Sequence, residues 1–358
     1  MTLPLIDMTS NTTSRLFNDS CATAELTQSI AWGATGATSN PVISLTVLKT
    51  EWETWRPRVE LLVAEQPTAN EQVIAWQVYK ELSQAGAKLL EPTHVATGHT
   101  WGRLSVQTDP TLHNHTAAML EQAGELAALG PNMQVKVPAT AAGIAMVEEA
   151  TYRGINLNVT VSFTVAQVLA IGESIEAGLR RREADGLDIS HMAPVATMMV
   201  GRLDDWCKVV AARESLDIAP ETLDWAGIAA FKNAHGIYTE RGYRTRLLVA
   251  AYRHLGHWSE LIGGADDAPT VMTMPFEWQV KANNSGLPAT PRLAEPVDPE
   301  ILAALKTMPE FVKGYEADGI TIEDFDSYGA VRRTLRSFIA AWYDVVAIVR
   351  DVMIPNPD

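Results

Sequence analysis

The regular alternation of short apolar segments with longer amphipathic ones limits the folds open to this chain more than any other feature. Eight segments have the length and residue types of β-strands: 16–20, 36–39, 103–108, 134–137, 156–163, 194–200, 245–251 and 270–274. Helical spacing of apolar residues fills nearly every interval, most clearly at 24–32, 43–62, 71–85, 112–129, 165–184, 203–213 and 220–241. Eight strands that alternate with helices predict an α/β protein built on a parallel (β/α)8 barrel, the TIM-barrel fold.

The domain organisation follows from the same pattern. The chain is longer than a typical domain, yet a barrel with insertions commonly forms one domain, so we predict a single domain over residues 1–358. Residues 276–299 are rich in Asn, Gly and Pro and are predicted to form a loop. Helical patterns at 299–313 and 328–353 predict a C-terminal helical extension, 299–358, that packs on the barrel.

Charge and composition argue against several classes of partner. The net charge of −15 disfavours binding to nucleic acid or to anionic membranes. Two cysteines, Cys21 and Cys207, are too few for a disulfide framework or a metal cluster, and we predict no metal and no cofactor. The first residues lack a signal-peptide pattern, and no apolar run is long enough to cross a bilayer. These features predict a cytoplasmic protein and leave open a homodimer formed through the long C-terminal helix.

One lysine interrupts an apolar strand, in the segment Val135-Lys136-Val137-Pro138. Because side chains alternate along a strand, Lys136 lies on the face opposite Val135 and Val137. If both faces are buried, the pKa of the ammonium falls and a nucleophilic amine, as a Schiff-base enzyme requires, becomes available near neutral pH. For an isolated motif of this kind, the alternative is a solvent-facing lysine on a half-exposed strand.

A second strand carries polar residues on one face. Asn156, Asn158 and Thr160 share one parity, and an amphipathic helical segment at 141–154 separates this strand from the strand of Lys136. The helix-facing side of a parallel sheet should be apolar, so the polar residues must line a cavity or a site on the other side.

Six segments, taken together and in this order, resemble the transaldolases, which are Schiff-base TIM barrels. They are FNDS at 17–20, GATSNP at 36–41, VKVPAT at 135–140, GINLNVT at 154–160, VGRLDDW at 200–206 and AAYR at 250–253. The resemblance covers the chain from about Phe17 to the last helix. It implies reversible transfer of a dihydroxyacetone unit between sugar phosphates, as in the pentose phosphate pathway, without a cofactor.

The resemblance also implies the catalytic roles. Lys136 would form the Schiff base with a ketose phosphate, and Asp19 would act as the general acid and base at the C4 hydroxyl. Thr160 would position a catalytic water. For Asp19, the residue types alone favour the alternative of a helix N-cap ahead of the segment near residue 24.

Further residues are implied as substrate ligands. The set comprises Thr38, Asn40, Asn158, Thr197, Arg202 and Arg253. Asn40 and Asn158 resemble the residues that hold substrate hydroxyls, while Arg202 and Arg253 resemble the phosphate-binding arginines. The residues themselves leave alternatives open: a turn at Asn40, a buried asparagine satisfied by the backbone at 158, and surface arginines.

Three positions depart from the usual pattern of the family. Gln107 stands where a glutamate is usual, which shifts proton transfer onto Asp19 and water because an amide cannot accept a proton at neutral pH. Thr197 stands for a serine, and Ala251 replaces a serine beside Arg253. His254 and His257 follow that arginine, with nothing in the sequence to support a contact with substrate.

The sequence leaves more than one function open. We predict a transaldolase-like transferase. The alternatives are a Schiff-base aldolase acting on a related sugar and, since Gln107 and Ala251 depart from the family pattern, a non-catalytic sugar-phosphate-binding barrel.

Overall fold

Eight parallel strands close into a barrel in the computed structural model, which describes residues 2–357. The strands are β1 Arg15–Asn18, β2 Ala34–Thr38, β3 Arg103–Gln107, β4 Met133–Pro138, β5 Leu157–Thr160, β6 Val195–Met198, β7 Arg246–Val249 and β8 Val271–Met274. Each strand pairs with the next, and β8 pairs with β1. The predicted (β/α)8 barrel is confirmed.

Helices surround the barrel, and further helices lie before the first strand and after the last one. They are α1 Pro4–Asn11, α2 Thr23–Ala31, α3 Pro41–Thr50, α4 Trp52–Glu65, α5 Glu71–Ala96, α6 Thr116–Ala127, α7 Ala141–Tyr152, α8 Val165–Ala184, α9 Val200–Glu214, α10 Pro220–Leu223, α11 Ala226–Arg241, α12 Gly256–Ser259, α13 Phe276–Asn284, α14 Pro299–Lys306, α15 Pro309–Tyr315 and α16 Gly329–Met353. The local sequence explains where two of these helices begin: Thr164 and Gln167 form a capping box at α8, and Thr140 caps α7. None of the helices in residues 2–357 combines the length and the apolar character needed to span a bilayer.

The pairing register decides which side chains face the barrel interior. Residues two apart on a strand share a face, and paired residues on neighbouring parallel strands share it too. Lys136 is paired with Gln107 on one side and with Asn158 on the other. The inner face near the carboxyl-terminal ends of the strands therefore carries Asp19, Thr38, Gln107, Lys136, Thr160, Thr197 and Thr273. A polar interior at this end is where barrels place ligands.

The C-terminal helix α16 packs over the outer helices and reaches the open end of the barrel. Its apolar stripe contacts α3 and α5, where Trp342 meets the rings of Trp76 and Tyr79 edge-on. The Tyr79 hydroxyl in turn bonds to both the backbone N–H and the carbonyl of Gln107. The helix thus supports the end of β3 through α5.

The predicted loop at 276–299 is wrong over its first part. Residues 276–284 form α13, and the irregular segment runs only from 285 to 298. Tertiary contacts hold this helix: the ring of Phe276 stacks on Trp32 at 5.4 Å. The buried Gln279 donates hydrogen bonds to the Asn18 side chain and to the Met274 carbonyl. Local composition does not contain these contacts.

Three predicted helices are each divided in the structure, and one of them, 220–241, falls in α10 and α11. The segment 43–62 falls in α3 and α4, which meet at Glu51, whose carboxylate accepts hydrogen bonds from the Thr23 N–H and the Trp55 indole. The segment 299–313 falls in α14 and α15, which separate before Pro309 because the residue preceding a proline disfavours the helical conformation. Helix α1 and the extension of α5 from 86 to 96 have no counterpart among the predictions.

Candidate active site

A cavity of about 160 Å³ opens at the carboxyl-terminal end of the barrel. Eight of the ten predicted site residues line it: Asp19, Thr38, Asn40, Lys136, Thr160, Thr197, Arg202 and Arg253. The other two, Gln107 and Asn158, are buried beside Lys136 on the neighbouring strands. A larger groove of about 530 Å³ on the outer surface, between α4 and α16, has an apolar floor that includes Trp52 and Ile348, and all of its charged side chains are exposed. The cavity in the barrel therefore holds the site.

Lys136 lies at the base of this cavity with 6% of its surface exposed. Burial lowers the pKa of its ammonium to about 8, against the opposing charge of Asp19 and with a smaller contribution from Arg202 in the same direction. Its Nζ donates a hydrogen bond to the Ser39 carbonyl at 3.1 Å. A substantial fraction of the amine is therefore neutral near physiological pH, as the sequence predicted for a lysine between two buried faces.

Asp19 comes directly after β1, and the part of its side chain that is not buried faces the cavity. Its backbone N–H donates to the Met274 carbonyl, which continues the barrel pairing past the strand. The Thr38 hydroxyl donates to its carboxylate at 2.6 Å. Burial raises the pKa of the carboxyl, while Lys136, the Thr38 hydrogen bond and Arg202 oppose the rise. The N-cap alternative is wrong, because α2 begins at Thr23 with Ala22 as its cap residue.

Beneath the cavity, Asn158 belongs to a buried hydrogen-bond network. Its amide donates to the Ser105 hydroxyl at 3.1 Å, and its carbonyl oxygen accepts from the Thr197 hydroxyl at 2.6 Å. Gln107 is 2% exposed, and its Oε1 has no hydrogen-bond partner within residues 2–357. A buried acceptor of this kind next to Lys136 is suited to a ligand or to a bound water.

Asn40 combines the two alternatives that its sequence context left open. Its Oδ1 accepts a hydrogen bond from the Ile43 N–H at 3.0 Å and so caps α3. The residue also lines the cavity. The cap uses the carbonyl oxygen, so the amide nitrogen is the part available to a ligand.

The two arginines approach the cavity from different elements. Arg202 lies in the first turn of α9, donates to the Thr334 hydroxyl at 3.3 Å and has its guanidinium 5.6 Å from the Phe338 ring, both on α16. Within residues 2–357 it has no carboxylate partner. Arg253, by contrast, makes two contacts of 2.8 and 2.9 Å with one carboxylate oxygen of Asp205.

Close backbone packing brings these arginines together. Ala251 adopts a left-handed conformation with φ of 66°, which is unusual for a residue other than glycine. Its carbonyl lies against Gly201, where an added Cβ would be 2.0 Å from the oxygen. The start of α9 and the turn after β7 can approach so closely only because residue 201 is a glycine.

A buried cluster of Asp204, His254 and His257 lies behind Arg253 and was not predicted from the sequence. The Arg253 N–H donates to Nδ1 of His257, so the ring proton is on Nε2, which donates to Asp204 at 2.7 Å. A nitrogen that donates a proton cannot ligate a metal ion at the same time. The hydrogen bonds therefore favour a role in holding the backbone of Arg253 over metal binding.

Two further residues at the site were missed by sequence reasoning. Thr273 lines the cavity and shares a 2.5 Å hydrogen bond with Thr38, and strand alternation at 270–274 would have found it. The Tyr252 hydroxyl is buried without a partner among residues 2–357, and burial together with Asp19 raises its pKa well above the usual range. Its position is decided by the turn after β7, for which the sequence holds no signal.

Fold and site together define a (β/α)8 barrel with a buried, partly neutral lysine beside a carboxylate at its carboxyl-terminal end. The chain belongs to the transaldolase/fructose-6-phosphate aldolase family, whose model matches residues 16–334. This confirms the resemblance stated from the sequence.

Curated relatives agree with this membership. The chain is 28% identical to a transaldolase of Thermobifida fusca, over 88% of this chain and 82% of the relative. It is also 28% identical to a transaldolase of Thiobacillus denitrificans, over 80% and 83%. Transaldolase 1 of Streptomyces avermitilis is 34% identical over 48% of this chain and 46% of the relative. The chain thus spans just under half the length of that relative.

Proposed function

We propose that this protein is a transaldolase-type transferase that moves a dihydroxyacetone unit from a ketose phosphate to an aldose acceptor through a Schiff base on Lys136. The observation that carries the proposal is the partly neutral Lys136 at the base of a cavity that also holds Asp19 and two arginines. Incubation with fructose 6-phosphate and erythrose 4-phosphate tests it: a seven-carbon ketose phosphate should form, detected by mass. No product with any ketose donor would contradict transfer.

The first half of the reaction uses the lysine as nucleophile and electron sink. Neutral Nζ of Lys136 attacks the ketone carbon of the donor, and the carbinolamine loses water to give a protonated imine. Thr160 and the free acceptor of Gln107 are suited to hold that water, with Gln107 orienting it without taking its proton.

The second half breaks and remakes a carbon–carbon bond. Asp19 takes the proton of the C4 hydroxyl, the C3–C4 bond breaks, and its electron pair moves into the imine to give an enamine while the aldehyde leaves. The enamine then attacks the carbonyl of the acceptor, whose oxygen receives the proton from Asp19. Water hydrolyses the new imine, which releases the ketose product and regenerates the Lys136 amine. The hydrogen bond from Thr38 holds the carboxylate in place, and the Asn40 amide is positioned to bind a substrate hydroxyl.

The phosphate end of the sugar is assigned to Arg202 and Arg253. In a chain of net charge −15, these two cations at one cavity provide local attraction for a phosphate dianion. Arg202 has no carboxylate partner among residues 2–357, whereas Arg253 must give up its ion pair with Asp205 in order to bind phosphate.

The pH dependence of imine formation should follow Lys136. Because the pKa of its ammonium is lowered to about 8, the nucleophilic form grows as pH rises, and the rate should level off above about pH 8. Arg202→Gln removes a positive charge that lowers this pKa, so the profile should move to higher pH. Stopped-flow trapping of the imine measures it, and Arg253→Gln is the control, since Arg253 is not among the causes of the shift. A flat profile between pH 6 and 9 would contradict the assignment.

Phosphate recognition is tested by a pair of opposite changes at Arg253. Arg253→Gln should raise KM for fructose 6-phosphate by about tenfold or more, with little effect on unphosphorylated fructose, because one charge-assisted contact is lost. Asp205→Asn removes the carboxylate that occupies the guanidinium and should lower KM for the same donor. Equal effects of Arg253→Gln on both sugars would show that this arginine does not bind phosphate.

An aldolase is the second candidate, in which the enamine is protonated and released instead of transferred. The family description includes fructose-6-phosphate aldolase. Free dihydroxyacetone formed from fructose 6-phosphate without an acceptor would indicate this activity. The homodimer and the cytoplasmic setting stay predictions.

A further inference from the structure

A second concentration of positive charge lies at the opposite end of the barrel. Arg15, Arg103 and Arg246 are the first residues of β1, β3 and β7, so all three mark the amino-terminal end. The register places them on the inner face, since Arg15 and Arg103 share parity with Phe17 and Ser105, and Arg246 is paired with Val195. They are separated from the candidate active site by the layers of side chains between.

Two of the three guanidinium groups, those of Arg15 and Arg246, lie against the same indole. The Arg246 guanidinium carbon is 4.3 Å from the ring centroid of Trp101, and that of Arg15 is 5.9 Å from it. Burial and the charge of Arg246 lower the pKa of Arg103 to about 10. Burial and the charge of Arg15 lower the pKa of Arg246 to about 10. Each arginine is therefore close enough to a neighbour to repel it.

Within residues 2–357, no carboxylate balances these charges. Among residues 2–357, none of the three arginines has an ion-pair partner, although the chain as a whole carries fifteen more acidic than basic charges. Arg103, 4% exposed, donates to the carbonyls of His99 and His191, but its Nε is buried without a partner. The indole and the carbonyls offset only part of the cost of burying Arg103 and of partly burying Arg15 and Arg246.

We propose that the amino-terminal end of the barrel binds a small divalent oxyanion, of the size of inorganic phosphate, between Arg15, Arg103 and Arg246. Such an anion supplies the missing negative charge and acceptors for several guanidinium N–H groups at once. Arg15 and Arg246 are only partly buried, so the site is open to solvent on one side. This site is distinct from the cavity of Lys136 and does not depend on the transferase activity.

The test measures anion binding in a protein whose active-site arginines have been removed. In the Arg202→Gln/Arg253→Gln background, titration calorimetry with inorganic phosphate should show saturable binding of one anion per chain. Adding Arg246→Gln should weaken it by about tenfold or more, since a charge-assisted contact is lost. A parallel titration with fructose 6-phosphate distinguishes free phosphate from a phosphate monoester as the source of the anion.

A matched control is available two residues away. Arg244 is paired with Glu176 and Glu183, so Arg244→Gln removes the same charge near the same end of the barrel without touching the cluster. It should leave anion binding unchanged. If Arg246→Gln does not fold, Arg15→Gln takes its place. Absence of saturable binding in the background protein, or an equal loss in Arg244→Gln, would overturn the proposal.

Discussion

Lys136→Met is expected to abolish covalent trapping of the donor sugar and to reduce transfer by about 10⁴-fold or more, because no other group at the site can form the imine. The variant should be at least as stable as the parent, since methionine has a similar shape and burying an ammonium is costly. Borohydride reduction in the presence of fructose 6-phosphate, followed by peptide mass spectrometry, locates the adduct. Thermal unfolding of both proteins checks the second expectation.

Lys232 provides the control for this experiment. Burial lowers the pKa of Lys232 as well, but its ammonium faces Glu260 and the carbonyls of Arg292 and Glu295 and does not line the cavity. Lys232→Met should keep the adduct on Lys136. An adduct that persists in Lys136→Met would contradict the assignment of the Schiff base to Lys136. No adduct in the parent with any ketose would contradict the Schiff base itself and favour a non-catalytic sugar-phosphate-binding barrel.

Asp19→Asn is expected to separate imine formation from bond cleavage. Without the carboxylate, the C4 hydroxyl keeps its proton, so transfer should fall by about 10² to 10⁴-fold. Lys136 should still react, and at lower pH than in the parent, because the charge of Asp19 raises the pKa of the lysine. Borohydride should then trap the intact six-carbon sugar, where the parent protein yields the three-carbon fragment.

Asp205→Asn is the matched control for Asp19→Asn. Asp205 is also an aspartate near the cavity, but it contacts Arg253 and not Lys136. Its replacement should leave the three-carbon adduct as the main product. A three-carbon adduct that also dominates in Asp19→Asn would show that Asp19 is not the base in the cleavage step. Tyr252, whose buried hydroxyl interacts with the charge of Asp19, would then be the next residue to test.

Local patterns in the chain were enough to predict the barrel and the order of its strands and helices. Eight apolar strand segments with helices between them leave few arrangements that bury every apolar face, and strand parity assigned Lys136, Asn158 and Thr160 to the interior. The strand and helix pattern and the strand parity are both local properties, because each depends only on residues that are close together in the sequence. Cap residues such as Thr140 and Thr164 are local signals of the same kind, but neither was predicted.

Contacts between residues far apart in the chain could not be predicted and are known from the folded structure alone. The stacking of Phe276 on Trp32 holds the helix α13. Arg202 comes close to Arg253 because Gly201, which has no Cβ, leaves room for the Ala251 carbonyl. Asp204 and His257, which support Arg253, are about 50 residues apart. Arg15 and Arg246, which meet at Trp101, are more than 200 residues apart. The closure of the barrel brings such pairs together, and no local pattern in the chain encodes the distances between them.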